Sequence, residues 1–359
     1  MDDIIIKPVL KKDLPKIVSL RQIFSQPNDP VRHLNDISYY SWHNFDNPID
    51  KGSFWAAYHK EKAVGMFSIV PKRISVLSRK YVVGEACDAF IHPNFQGRRI
   101  WSRLFRLNYE DIMSRDIKLI YASSPTGESY TIFIKKFNFI QLNHLKLFHL
   151  IRPLNFQSVI KLKLGSHVLS KILSFLLKPP FNLIFPLHDK NSNTLDIKIQ
   201  EEKNIPSRYQ EFWYKCEELY DLFIVRDIEY IQWRYFLAPE AYEFYSINKN
   251  NLMIGYYVLK VIPWGDLKIA TIVDYFLNSN NDSDFKLILY NIYSTCICRN
   301  IDFIQTWCLS ISPFYKQLLK HGFLPFRKDS LLFLNHPLFA GLKNRKIKAH
   351  FTMGDSDYI

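Results

Sequence analysis

What most constrains this chain is an order of periodicities that runs twice. Ser53 to His59 and Val64 to Leu77 alternate in the manner of antiparallel strands, joined by the turn Lys60-Glu61-Lys62, and Tyr81 to Ile91 is a third strand. Pro93 and Gly97 then punctuate a turn into the amphipathic helix Ile100 to Arg115. The short strand Lys118 to Ser123, a helix from Glu128 to Phe137 and a strand from Lys146 to Arg152 complete the first round. A strand from Ile4, a helix opened by Asp13 and a helical stretch from Ser38 to Asn44 precede it. After a helix from Ser207 to Tyr220, the order returns: strands near Tyr242 to Ile247, Met253 to Val261 and Lys268 to Phe276, a helix Asp284 to Arg299, a strand Ile301 to Trp307 and a helix Pro313 to His321. Elements in this order bury their faces as helices layered on mixed sheet, so the expected fold class is α/β with a mixed sheet, repeated in pattern rather than in identity.

At 359 residues the chain exceeds one ordinary core, and a domain size of roughly 150 residues implies two domains. Residues 156–190 break the rhythm: KLKLGSHVLSKILSFLLKPPFNLIF is apolar and basic, and Pro179-Pro180 interrupts it. The expected division is therefore 1–155, a linker 156–190, and 191–359. Within the linker Leu169, Ile172, Leu173 and Leu176 share one helical face, with Lys171 and Lys178 beside or opposite it. Such a segment can bury that face between the two domains, or lie in a membrane interface through residues 156–188; it is too short and too charged to span one.

The opening MDDIIIKPVL lacks the basic region and long apolar core of a signal peptide or membrane span. Five cysteines without a CxxC pair suggest neither a disulfide framework nor a zinc site, so a cytoplasmic protein is expected, with peripheral contact at the inner membrane surface as the extension of the linker reading. The net charge of +13 suits nucleic acid, an anionic membrane or a polyanionic cofactor. The basic residues are dispersed, and no helix-turn-helix, zinc knuckle or aromatic-interleaved RNA motif accompanies them, so no nucleic-acid partner is expected.

The chemistry concentrates in HPNFQGRRIWSRLF, His92 to Phe105, between a strand and a helix. A pyrophosphate needs backbone amides that converge, and a turn at a helix N-terminus supplies them with the positive end of the helix dipole. Gly97 permits close approach, and Arg98 and Arg99 add charge; a glycine at such a turn also serves structure alone. Here the chain resembles the GNAT acetyltransferase family, whose fourth strand ends in a hydrophobic residue and often His-Pro, followed by an Arg or Gln-Gly-x-Gly-x-Gly loop that opens the third helix. Gln96, Gly97, Arg98, Ile100 and the helix Ser102-Arg103-Leu104-Phe105 fit in register, while Arg99 and Trp101 replace the two later glycines. The resemblance continues through YASSP and KKFNF, covers roughly residues 4–153, and makes the C-terminal half a more divergent second copy that ends in KQLLKHGF.

The resemblance implies tandem GNAT-like folds and acetyl-CoA, or another acyl-CoA, as co-substrate, held by Phe90, Ile91, Gln96, Gly97, Arg98, Arg99, Ile100, Trp101 and Ser102. It also implies direct attack of an amine on the thioester, with a carboxylate or ordered water taking the proton. Glu85 and Asp88 are the carboxylates of the fourth strand; strict alternation sends them to opposite faces, and Asp88 is the first choice of base. A salt-bridged strand carboxylate is the alternative for either. The family's tyrosine acid position holds Ile134, so Tyr130, one turn earlier, is the candidate proton donor unless it is a core residue. No metal is expected, since the two aspartates of the terminal FTMGDSDYI have no further ligands; a turn tucked against the acceptor cleft is the other reading of that tail.

Three functions compete. The first is N-acetyl or N-acyl transfer to a primary amine, a small molecule or an amino sugar of a surface polysaccharide pathway. A Fem-type transferase, also a tandem of this fold, carries an amino acid from tRNA. A non-catalytic CoA-binding module is motivated by Ile134, Arg99 and Trp101. The run NSNNDSD, where the second copy would need its glycine turn, repels phosphates, so one CoA per chain is expected, with the C-terminal half on the acceptor side.

Overall fold

The computed structural model describes residues 4–25, 35–125, 127–164, 167–186, 197–278 and 281–357. In the N-terminal half the strands are β1 (Ile5–Pro8), β2 (Ser53–His59), β3 (Lys62–Val76), β4 (Arg79–Ile91), β5 (Leu119–Ser123), β6 (Phe139–Gln141) and β7 (Leu147–Pro153). The C-terminal half contributes β8 (Ile197–Glu202), β9 (Leu222–Ile224), β10 (Glu243–Lys249), β11 (Leu252–Trp264), β12 (Leu267–Leu277), β13 (Phe303–Leu309), β14 (Leu324–Asp329) and β15 (Leu331–Leu334). Two-residue turns close three hairpins: Lys60-Glu61, Leu77-Ser78 and Asn250-Asn251 all have positive φ at both positions, the twist that matches paired strands.

The expected repeat is present as tandem GNAT-like folds. In the first sheet β2, β3 and β4 are antiparallel and β4 pairs with β5 in parallel; in the second, β10, β11 and β12 are antiparallel and β12 pairs with β13 in parallel. Three strands cross the expected division, β7, β9 and β15. The first sheet runs β1-β2-β3-β4-β5-β15-β6, with β9 on the end of β3, and the second runs β14-β7-β13-β12-β11-β10-β8. Thus β7 of the N-terminal half lies between two strands of the second sheet, and β15 of the C-terminal half lies between two strands of the first. Only Ser330 separates β14 in one sheet from β15 in the other.

Along β3 burial is nearly continuous rather than alternating, because both faces of the first sheet are covered. Phe67 and Ile69 face the helix Ile100–Ser114, whose Leu104, Phe105 and Ile112 form its apolar stripe. Met66 and Ile74 face the opposite side with Leu14, Ile17 and Tyr40 of the helices Leu14–Gln22 and Ile37–Phe45. Truncating a ring as enclosed as Phe67 costs about 3–5 kcal/mol. Among the described residues no helix is long and apolar enough to cross a membrane.

Candidate active site at the fork of the first sheet

Strands β4 and β5 pair only over Val83–Glu85 and Leu119–Tyr121; beyond this β4 continues to Ile91 without a β5 partner. At the end of β4 a cleft of about 460 Å³ opens, lined by Phe90, Ile91, Gln96, Gly97, Arg99, Ile100, Trp101 and Ser102. Glu128, Ser129, Ile132 and Lys136 of the helix Gly127–Phe137 line it as well. Arg99 is the N-cap of the helix Ile100–Ser114 and gives no side-chain cap; the first bond of that helix runs from the Arg103 amide to the Arg99 carbonyl at 3.2 Å. The amides of Ile100, Trp101 and Ser102 precede that bond and have no intrahelical acceptor, which makes this end a receptor for an anion.

Gly97 has φ 77°, and a Cβ there would meet nothing within 4 Å, so the conformation rather than space demands glycine. Arg99 has φ 60°, in the left-handed region that favours glycine. Trp101 stacks on Phe105 at 5.7 Å and meets Phe67 and Phe133 edge-on at 5.1 and 5.2 Å, so one face of the cleft is also core.

A bulge shapes the floor of the fork. Met66 pairs with Phe90 and Ser68 with Cys87, so Asp88 and Ala89 together oppose Phe67, and Asp88 takes φ 51°. The added residue overturns the strict alternation expected for Glu85 and Asp88. Asp88 Oδ2 lies 3.7 Å from His43 Nδ1 on the helix Ile37–Phe45, and the same imidazole feels the Glu85 charge. Both Asp88 oxygens are buried and accept no hydrogen bond from a described group. Burial pushes Asp88 up to about 7 against the pull of Arg21, and burial pushes His43 down to about 3, leaving it neutral. His43, Cys87 and Asp88 bring a nitrogen, a sulfur and a carboxylate oxygen within 4.8 Å of one another, but burial raises the thiol and disfavours the thiolate a metal would need.

Glu85 is engaged otherwise. Lys72 Nζ is 2.6 Å away, and the Ser123 hydroxyl and the Asp357 amide each donate to Oε1 at 3.2 Å. The last described residues of the chain therefore belong to the site. Tyr121 and Lys72 donate to the Asp355 carbonyl at 2.6 and 3.0 Å, and the Ser123 and Ser356 hydroxyls lie 2.9 Å apart. From the second half, Arg226 pairs with the Asp355 carboxylate at 2.8 Å, while Tyr230 and Arg234 donate to the Gly354 carbonyl at 3.1 and 3.2 Å. Only glycine fits at 354, since a Cβ would stand 2.2 Å from the Tyr235 hydroxyl. The Asp357 carboxyl accepts from the Asp88 backbone amide, and burial, reinforced by the Asp88 charge, pushes it up to about 6.

Of the nine residues expected to hold the cofactor, eight line the cleft; Arg98 does not, its guanidinium lying 5.0 Å from the Phe95 ring centroid. Tyr130 is also a correction: its hydroxyl donates to Gln141 at 3.2 Å and its ring packs on the core, because the wall of the cleft is made by positions 128, 129, 132 and 136 of that helix. Sequence reasoning missed His43 and Lys136, and reached Asp357 only as part of a tail with two readings. For Lys136 the signal was present, one helical turn beyond Ile132.

Residues 6–137 match the family model of the acetyltransferase (GNAT) domain. No curated protein matches the chain. Among solved structures, a GCN5-related N-acetyltransferase from Anabaena variabilis superposes with TM-score 0.60 at 14% identity, over 92% of this chain and 72% of that one. Saccharomyces cerevisiae N-myristoyltransferase with bound myristoyl-CoA gives 0.66 at 12% identity, over 93% and 83%. A probable N-acyltransferase from Enterococcus faecalis gives 0.61 at 10% identity, over 93% and 72%. Residues 6–137 thus carry the match to the GNAT domain, and the chain as a whole shares the two-part fold of these solved structures.

Proposed function

We propose that this protein transfers an acyl group, acetyl in the simplest case, from acyl-CoA to a primary amine. The observation that carries the reading is the uncapped N-terminus of the helix Ile100–Ser114 opening on the cleft directly after the strand that bears Asp88. Unbonded amides, Arg99 and Lys136 suit the phosphates of CoA. The amine nitrogen attacks the thioester carbon, a C–N bond forms, the C–S bond breaks and CoA leaves as thiolate. Asp88 is the base that takes the amine proton, and Asp357 fixes the bulge at the Asp88 amide and adds a second carboxyl that favours a cationic acceptor. An amino sugar of a surface polysaccharide pathway satisfies this chemistry, as does a smaller amine.

The test is calorimetric titration with acetyl-CoA followed by thiol release on a panel of amino sugars. Binding with turnover supports the enzyme; binding without turnover supports a CoA-binding module; neither, with transfer from aminoacyl-tRNA instead, supports a Fem-type activity. Contact of residues 156–188 with a membrane is a separate reading from this chemistry.

A further inference from the structure

The helix His167–Ile184 stands on the protein by one side. Phe181 packs on Phe156 and Phe185 at 4.9 and 5.0 Å between ring centroids, and the Arg152 guanidinium lies over Phe181 at 4.5 Å. Half a turn round from Phe181, at helical spacing, are Ile172, Phe175, Leu176 and Leu183. All four are exposed, Phe175 by 80% and Leu183 by 85%. Large apolar residues exposed at i, i+3, i+4 and i+11 form a face rather than scattered surface positions, and a face of this kind marks an interaction site.

Charge decides what covers it. From Phe156 to Pro186 the sequence contains four lysines and neither aspartate nor glutamate. Lys161, Lys171 and Lys178 are exposed, the latter two at the flank of the apolar face, where a long side chain can set its ammonium at the level of lipid phosphates. No described helix is long and apolar enough to cross a bilayer, so a helix with this face lies in the interface plane.

We infer that the helix His167–Ile184 docks the protein on an anionic lipid surface, apolar face down, with Lys171 and Lys178 against the headgroups. The inference goes beyond the transfer chemistry and does not depend on it. Each lysine strengthens binding to such a surface about fivefold, and the apolar face supplies the part that salt does not remove.

The experiment is co-sedimentation of the full chain with vesicles of phosphatidylcholine alone or with phosphatidylglycerol added, at low and high salt, beside light scattering for oligomeric state. The expected result is capture by the anionic vesicles only. Phe175→Glu with Leu183→Glu, at exposed positions, should reduce capture at least tenfold with an unchanged melting temperature. Lys171→Gln with Lys178→Gln should reduce it on the order of tenfold and flatten the salt dependence. Two results overturn the proposal: a chain that stays in the supernatant with every vesicle, or a dimer that the Phe175→Glu, Leu183→Glu variant dissociates, which would make the face an interface between copies. CoA binding by the same variants reports on the transferase reading separately.

Discussion

The two halves carry the same fork and put it to different uses. In each, a strand leaves its parallel neighbour and then bulges beside an aspartate: β4 at Asp88 and Ala89, and β12 between Ile272 and Asp274. Asp88 is buried without hydrogen-bond partners and pushed up to about 7. Burial would raise Asp274 too, but Arg226 at 3.0 Å, with Tyr235, Tyr256 and Thr352 donating to it, holds it below the usual carboxylate range. The helix after the first fork opens without a cap. The helix Asp282–Cys298 after the second is capped by Asn281 and has Asp282 and Asp284 in its first turn. His350 and Phe314 pack on Tyr275 in the second fork, with His350 Nε2 2.9 Å from the Tyr275 carbonyl. On the proposed reading, an aspartate at a strand bulge is left able to take a proton where its partners are withheld; given partners, it becomes a brace.

The sharpest way to break this comparison is to neutralise both aspartates. Asp88→Asn should lower kcat at least about a hundredfold with CoA affinity unchanged. Asp274→Asn should instead leave Arg226 underpaired and cost about 3 kcal/mol of stability, read by denaturant unfolding. Similar kinetic losses in two equally stable variants would mean that the forks are equivalent. Gly97→Val, at φ 77°, should weaken CoA binding about tenfold, and calorimetry should return one CoA per chain; a stoichiometry of two would give the second fork a site.

The pH profile sharpens the comparison further. A base with a raised carboxyl works when deprotonated, so kcat/KM should rise with pH through about 7. Because Arg21 pulls that value down, Arg21→Gln should move the limb to higher pH. The stability sign is opposite: a carboxyl raised in the folded state makes the fold less stable as pH climbs from its unfolded value towards 7. Tyr130→Phe should change turnover by less than about threefold, since its hydroxyl serves Gln141. A large loss would return Tyr130 to the chemistry.

Much of the site was legible because it is local. Gln96 to Ser102 sit on consecutive positions of a strand-turn-helix unit, and composition and spacing report such units directly. Direction was less legible. The register of a helix against a sheet decided that Ile132 and Lys136 face the cleft and Tyr130 does not, and one inserted residue reset the faces of β4. The tail was legible only as a pair of alternatives, since Asp355 and Asp357 find partners at Tyr121, Arg226 and Glu85, more than a hundred positions away. Likewise β7 read correctly as a strand, but its partner β13 lies in the other half, and long-range pairing leaves no trace in local periodicity.

The exchange of β7 and β15 sets an order of events during synthesis. The first sheet has its gap between β5 and β6 open until Leu331–Leu334 leave the ribosome, which at roughly 5–20 residues per second is on the order of ten to forty seconds after β6 has emerged. Over that interval the facing edges of β5 and β6 are unpaired, the two edges that β15 covers in the finished sheet. The first sheet is therefore continuous only once a strand of the other half has been made, so the two halves cannot finish folding one after the other as separate units.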